Sequence, residues 1–135
     1  MPEITITVPG DPKGQPRPRF SRRGGFVRVY DPAAKMKKII GNIISQQFKG
    51  DIIHSAIEVD IVFYMPFPKS LSKKKKRFMM ENDIRHVKKP DIDNAQKLFF
   101  DVMSGLIYHD DNQIWKVEAK KLYSEIPRTY IILKY

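Results

Sequence analysis

The fold is decided by a stretch that leads from a loop into a helix, Lys89-Pro90-Asp91-Ile92-Asp93-Asn94-Ala95-Gln96-Lys97. Pro90 favours an extended approach, so the stretch predicts a loop over residues 82–92 and a helix over residues 93–104, ending at Gly105. Four apolar residues share the helix face that is predicted to pack inward: Ala95, Leu98, Phe99 and Val102. Three charged residues recur every four positions and share another face: Asp93, Lys97 and Asp101.

Apolar residues that alternate with polar ones predict strands on both sides of this helix. The clearest strand covers residues 56–64, and residues 3–9 predict a half-buried one. Residues 26–30 predict a short strand. Residues 115–123 and 129–135 predict two closing strands that form an antiparallel pair.

Two further helices and a loop complete the pattern. Asp31 is predicted to cap a helix over residues 32–49, with Pro32 at its first position and Gly50 as its stop. Its apolar face holds six residues: Met36, Ile39, Ile40, Ile43, Ile44 and Phe48. Ser70 or Ser72 caps a short lysine-rich helix that runs through about Glu81. Residues 10–25, rich in turn residues and charge, predict a long exposed basic loop.

The order β-β-α-β-α-α-β-β predicts a single α/β domain over residues 1–135. Its sheet is expected to be mixed, largely antiparallel and covered by helices. Four aromatic residues are expected in the core: Phe63, Phe99, Phe100 and Trp115.

The composition fits one soluble globular domain. The chain has 135 residues, 41% hydrophobic and 30% charged, which suffices for a core. No apolar run approaches the ~18 residues that span a bilayer, and the N-terminus does not have the pattern of a signal peptide. The absence of cysteine excludes disulfides and thiolate zinc sites and suits a reducing cytoplasm.

An acidic cluster interrupts a strongly basic chain. The net charge is +10, yet residues 91–111 hold five aspartates and a single lysine. Carboxylate oxygens are the ligands that Mg²⁺ selects, so the cluster predicts a divalent-metal site. Asp91 and Asp93 lie at the helix start, and the chain reversal at Gly105 is expected to bring the Asp110-Asp111 turn back to the same end. The alternative is that the aspartates only cap the helix.

Lys97 and Asp101 each allow two interpretations. Lys97 is either half of an ordinary ion pair one turn from Asp93, or a cation that orients water and offsets negative charge at the metal site. Asp101 is either support for the metal ligands or a solvated helix residue.

Basic residues outside the acidic cluster are candidates for DNA binding. Arginine suits bidentate contacts with phosphate, and four arginines lie in the loop among proline and glycine. The lysine run near residue 75 is the second candidate, although it also fits the solvated face of a helix. The predicted DNA-binding residues are Arg17, Arg19, Arg22, Arg23, Lys73, Lys74, Lys88 and Lys89.

These motifs resemble the RusA family of phage and prophage Holliday-junction resolvases. The resemblance rests on Lys89-Pro90-Asp91-x-Asp93-Asn94-x-x-Lys97, then Asp101, Gly105 and Tyr108-x-Asp110-Asp111-x-Gln113-Ile114. It extends to the N-terminal strand, loop and strand with Arg-Pro-Arg-Phe. The loop over residues 10–25 looks longer and richer in arginine than in the shorter members of the family.

The resemblance implies a homodimeric, Mg²⁺-dependent endonuclease that makes paired symmetric nicks in a four-way DNA junction. Mn²⁺ is a possible substitute, and no small-molecule cofactor or membrane is expected. By this resemblance the metal ligands are Asp91, Asp93 and Asp111, the catalytic lysine is Lys97, and Asp101 and Asp110 support them. The enzyme would act in the cytoplasm of a bacterial or phage-infected cell.

Paired nicking needs two sites, so a two-fold dimer is expected. The strand from Ile57 to Phe63, or the face of the helix over residues 32–49, is expected to supply part of the interface. Two alternatives stay open: a metal-dependent nuclease for other branched or duplex DNA, and a basic DNA-binding protein that does not cut.

Overall fold

A computed structural model describes residues 1–16, 19–23, 25–30 and 32–135, with residues 19–23 and 26–30 described by their backbone alone. The elements, in chain order, are β1 (Glu3–Pro9), β2 (Arg19–Arg23), β3 (Phe26–Tyr30), α1 (Ala34–Gln47), β4 (Ile57–Met65), α2 (Lys73–Glu81), α3 (Ile92–Met103), a 3₁₀ turn (Asp111–Gln113), β5 (Ile114–Tyr123) and β6 (Arg128–Lys134).

Four strands form one sheet in the order β1-β6-β4-β5, and β2 pairs with β3 in a separate hairpin. β6 is antiparallel to β1 and to β4, whereas β4 and β5 are parallel. The sheet is therefore mixed and largely antiparallel, which confirms the predicted α/β class.

The core lies between one face of the sheet and the helices α1 and α3. Alternate residues of β4 are buried, as the alternation in its sequence predicts. The inward face of α3 buries Ala95, Leu98, Phe99 and Val102, and the ring of Phe99 lies 6.0 Å from that of Phe63. These helix residues and the core positions of Phe63, Phe99 and Phe100 were predicted correctly.

Two local predictions were wrong in part, and a third is confirmed with one of its two alternatives chosen. The loop over residues 10–25 contains β2, whose five residues pair with β3. α1 begins at Ala34 with Ala33 as its N-cap, two residues later than predicted, and Asp31 lies outside the described residues. Ser72, rather than Ser70, caps α2, and its hydroxyl accepts a hydrogen bond from the Lys75 amide at 3.2 Å.

The two closing strands do not pair with each other, which corrects the predicted antiparallel pair. β4 lies between them, parallel to β5 and antiparallel to β6. The short connection crosses the end of β4, where the Ser124 amide donates to the Met65 carbonyl at 2.9 Å.

Trp115 is 63% exposed, so its predicted core position was wrong. β5 is an edge strand, and its pairing with β4 shifts register here, with Ile114 opposite Ile57 and Lys116 opposite Glu58. Trp115 is therefore the extra residue of a bulge, and Ile114 packs against the core in its place.

Among the described residues, no helix is long and apolar enough to cross a membrane.

Candidate functional site

The start of α3 presents two exposed carboxylates, Asp91 and Asp93, which we call the helix-start pair. Asp91 is the N-cap residue with extended backbone, and its carbonyl accepts the Ala95 amide at 3.0 Å. Its side chain makes no capping hydrogen bond with the described backbone. The carboxylate is therefore not used up in capping, and the helix N-terminus favours its negative charge.

Lys121 holds the chain just before the helix-start pair. Its ammonium group donates to the carbonyls of Lys88 at 2.9 Å and Pro90 at 3.2 Å. The peptide bond between Lys89 and Pro90 is cis. Lys121 thereby ties the loop before α3 to strand β5.

Lys121 was missed by sequence reasoning. It lies opposite Phe63 in the β4–β5 register, on the side of β5 that faces the core. The sequence did hold a signal for this role. Lys121 alternates with Ala119 and Tyr123, so a lysine occupies the apolar side of the strand.

The second acidic group lies toward the other end of α3 and comprises Asp101, Asp110 and Asp111; we call it the turn group. Partial burial raises the pKa of Asp111, and the carboxylates of Asp110 and Asp101 raise it further. Asp101 also lies 4.0 Å from the ammonium of Lys37 on α1. These interactions show that the three carboxylates are near one another.

Gln113 fixes the turn that carries Asp110 and Asp111. Its amide nitrogen donates to the carbonyls of Ile53 at 2.8 Å and Ser55 at 3.0 Å, and its oxygen accepts the Asp110 amide at 2.9 Å. The turn is therefore anchored to the segment that leads into β4.

Buried Tyr108 holds the preceding residues against α3. Its hydroxyl donates to the Phe100 carbonyl at 2.8 Å, and burial raises the pKa of Tyr108. Gly105, with φ of +84°, makes the reversal between the helix and Tyr108.

The structure does not bring the predicted metal ligands together within one chain. Asp91 caps the start of α3 and Asp101 lies near its end, so the two are about 15 Å apart along the helix axis. The acidic neighbours of Asp111 are Asp101 and Asp110, not the helix-start pair. No three acidic or histidine side chains among the described residues are placed to hold a metal ion. The carboxylate oxygens of these aspartates suit Mg²⁺. In one chain, however, the aspartates form two separate groups.

Lys97 lies between these two groups along α3. Its side chain is exposed, and the part of the chain that the structure describes holds no ion pair to it. The interpretation of Lys97 as half of a local ion pair with Asp93 or Asp101 therefore finds no support in the geometry.

The predicted DNA-binding residues fall into three regions. Lys88 and Lys89 are exposed beside the helix-start pair, and Lys73 and Lys74 are exposed in the first turn of α2. Arg19, Arg22 and Arg23 lie on β2, where only the backbone is described, and Arg17 lies outside the described residues.

Two comparisons with known proteins cover nearly the whole chain. Residues 9–134 match the family model of the endodeoxyribonuclease RusA. The chain is also similar to the uncharacterized protein YqaN of Bacillus subtilis (strain 168), with 38% identity over 135 residues that cover 97% of this chain and 95% of that protein. The matched residues include both acidic groups and Lys97, and the chain belongs to the RusA family of endodeoxyribonucleases.

Proposed function

We propose that the protein is a Mg²⁺-dependent homodimeric endonuclease that resolves four-way DNA junctions by paired symmetric nicks. The observation that carries the proposal is the presence of two acidic groups, one at the start of α3 and one around the turn that follows it, in a chain with net charge +10 that belongs to the RusA family. The basic surface attracts DNA, and a cation at the carboxylates lets phosphate approach them. The cytoplasm, where the DNA lies, is the proposed location.

The proposed ligands of the metal ion are Asp91, Asp93 and Asp111, with Asp101 and Asp110 as their support. A bound Mg²⁺, or Mn²⁺ in its place, supplies Lewis acidity for phosphodiester hydrolysis. Lys97 offsets the negative charge that develops on the phosphate oxygens and orients the attacking water.

A second copy of the chain completes each site in this proposal. One subunit contributes the helix-start pair and the other contributes Asp111, because a single chain holds these groups at opposite ends of α3. A two-fold axis then generates two such sites. Two symmetric sites are what the nicking of two opposed strands requires.

The first experiment compares a synthetic four-way junction with a linear duplex of the same sequence. With Mg²⁺ we expect paired nicks in the junction, little cutting of the duplex, and no cutting in excess chelator. Equal cutting of duplex or flap substrates would instead favour a general nuclease. Tight binding without cutting under any divalent ion would favour a DNA-binding protein that does not cut.

The second experiment tests the shared site by mixing inactive subunits. Asp91→Asn protein mixed with Asp111→Asn protein should regain nicking, since each mixed dimer has one site with all its ligands. The matched control mixes Asp91→Asn with Asp93→Asn, which should stay inactive because every site then lacks a ligand. If both mixtures are inactive while wild type cuts, one chain supplies all three ligands.

A further inference from the structure

A cleft of about 700 Å³ opens beside Asp91. Its walls come from residues 11–16, the end of β4, and the loop before α3. β1, β4 and β5 all end on this side of the molecule, because β1 and β4 are both antiparallel to β6 and β5 is parallel to β4. The volume lies within the range of about 300–1,000 Å³ that is usual for sites binding cofactor-sized molecules.

The walls of this cleft combine polar side chains with several apolar residues. Pro12, Met65, Pro66 and Pro90 all line it. Flat, rigid proline rings and a polarisable methionine suit the face of an aromatic ring better than an ion.

Two polar groups in the cleft wall have no hydrogen-bond partner. The side-chain oxygen Oε1 of Gln15 and the ring nitrogen Nδ1 of His86 are both buried and unpaired within the described residues. His86 as a whole is 9% exposed, and its ring packs edge-on against Tyr123 with centroids 5.3 Å apart. Buried polar groups are nearly always paired, so two unpaired ones in one cleft point to a ligand that pairs them.

Both side chains can turn toward such a ligand. The terminal torsions of glutamine and histidine are soft, so a rotation exchanges the buried atom with the opposite edge of the group. Burial lowers the pKa of His86, and the charges of Lys121 and Lys88 lower it further. A neutral imidazole has one donor and one acceptor nitrogen, and the glutamine amide also offers both.

The charged groups at the cleft are of both signs. Lys13 and Lys89 line it together with Asp11 and Asp91. The two lysines can hold a phosphate. Because Asp91 lines the same cleft, a phosphate held there lies beside the helix-start pair.

We propose that the cleft binds one unstacked nucleotide of the DNA substrate, with its base between the proline walls and its base edge on Gln15 and His86. This inference rests on the proposed DNA endonuclease function. It adds to that function a pocket that recognises a base next to the phosphodiester bond to be cut. Lys13 and Lys89 hold the phosphate of the bound nucleotide.

The cleft is joined closely to the proposed catalytic helix. The backbone N–H of Gln15 donates to the backbone carbonyl of Asn94 at 3.2 Å. A methyl group added at Gly14 would lie 3.1 Å from Cβ of Pro90 and 3.3 Å from Cβ of Asn94. A base bound to Gln15 would therefore contact a segment that packs directly against the start of α3.

The test is a titration of the full chain with nucleotides in the absence of metal. The imidazole ¹⁵N resonances of the histidines report binding. The chain has three histidines, so His54 and His109, both exposed, serve as internal references. We expect one of the four 2′-deoxynucleoside 5′-monophosphates to shift His86 with a Kd about fivefold lower than the others, as one net hydrogen bond implies. Inorganic phosphate should leave His86 unshifted.

Gln15→Met removes the amide while it keeps the side-chain length, and it should reduce the preference among bases to less than about twofold. Gln46→Met, on the exposed side of α1, is the matched control and should keep the preference. Equal binding of all four nucleotides by wild type, no shift of His86, or the same shift with phosphate alone would each overturn the base-reading pocket. The titration needs no cutting, so its result is separate from the outcome of the junction experiment.

Discussion

His86 is the buried histidine of the three, and its protonation is linked to the stability of the fold. Its pKa is lowered, first by burial and then by the neighbouring lysines. The unfolded chain therefore binds a proton at His86 more readily than the folded chain. The stabilisation is complete above the ordinary pKa of 6.5 and is lost as the pH falls below it.

We expect His86→Phe to reduce the dependence of stability on pH. Wild type should lose more free energy of unfolding than the variant between pH 7 and pH 5, by about 1.4 kcal/mol for each unit of lowered pKa. Urea unfolding at several pH values measures the difference. Parallel curves for the two proteins would show that His86 titrates alike in both states.

The pKa of Asp111 is also shifted, but here the charged form at neutral pH destabilises the fold. Its pKa is raised by partial burial and by Asp110 and Asp101, so the ionised carboxylate destabilises the fold at neutral pH. The destabilisation is relieved as the pH falls through the raised value. Asp111→Asn should therefore raise Tm slightly, by about 1–2 °C at pH 7 in low salt because the side chain is exposed, while it abolishes cutting.

Thermal unfolding with and without added salt tests this prediction, because salt screens the repulsion and should shrink the gain. Glu81→Gln at the exposed end of α2 is the control for loss of one negative charge. A lower Tm for Asp111→Asn than for wild type would contradict the proposed repulsion.

At the scale of elements, α3 depends on contacts at both of its ends. Lys121 ties the preceding loop to β5, and Gln113 ties the following turn to the segment before β4. The buried face of α3 holds the helix on the sheet between these ties. The positions of both acidic groups follow from this arrangement.

Lys121→Met should lower the cutting rate at least tenfold, because the carbonyls of Lys88 and Pro90 lose their donor and the helix-start pair is no longer held. Its free energy of unfolding should fall by about 0.5–1.5 kcal/mol, the usual net contribution of a hydrogen bond. Lys120→Met is the matched control, since Lys120 is exposed on the opposite face of β5. Equal rates for the two variants would remove the positioning role of Lys121.

At the scale of the whole molecule, the sheet topology limits which surface can form the proposed dimer interface, and the basic residues determine where DNA would bind. β4 is a central strand whose alternate residues are buried, so its apolar residues from Ile57 to Phe63 serve the core of their own chain. The dimer interface at this strand stays a prediction for the half-buried residues on the opposite face of β4. The face of α1 stays a prediction, and Ile39 on it is 53% exposed.

Replacement of Arg17, Arg19, Arg22 and Arg23 by alanine should weaken junction binding and flatten its salt dependence. The slope of log K against log salt should fall by up to about 0.9 for each phosphate contact that is lost. Binding isotherms at several salt concentrations measure it. An unchanged slope would move the binding surface to the lysines of α2, where Lys73 and Lys74 are the next residues to replace.

The sequence by itself determined the local elements and the family. Alternation over 56–64 and the apolar face of the helix after Pro90 predicted β4 and α3 to within one residue at each end, since both patterns are properties of neighbouring residues. The spaced aspartates with Lys97 were specific enough to indicate the RusA family, which the match over residues 9–134 confirms.

Only the tertiary structure decided which elements are neighbours and which chemical groups meet. Four residues join β5 to β6, a spacing typical of a paired hairpin, yet β4 lies between them because its backbone bonds both strands and the crossing segment. Trp115 has the pattern of a core residue but is the extra residue of a bulge in the pairing of β5 with β4, and it is exposed. Asp111 meets Asp101 rather than Asp91 because the chain reverses after α3 and Tyr108 holds it against Phe100, near the end of that helix. These outcomes depend on contacts between residues far apart in the chain, which no local pattern contains.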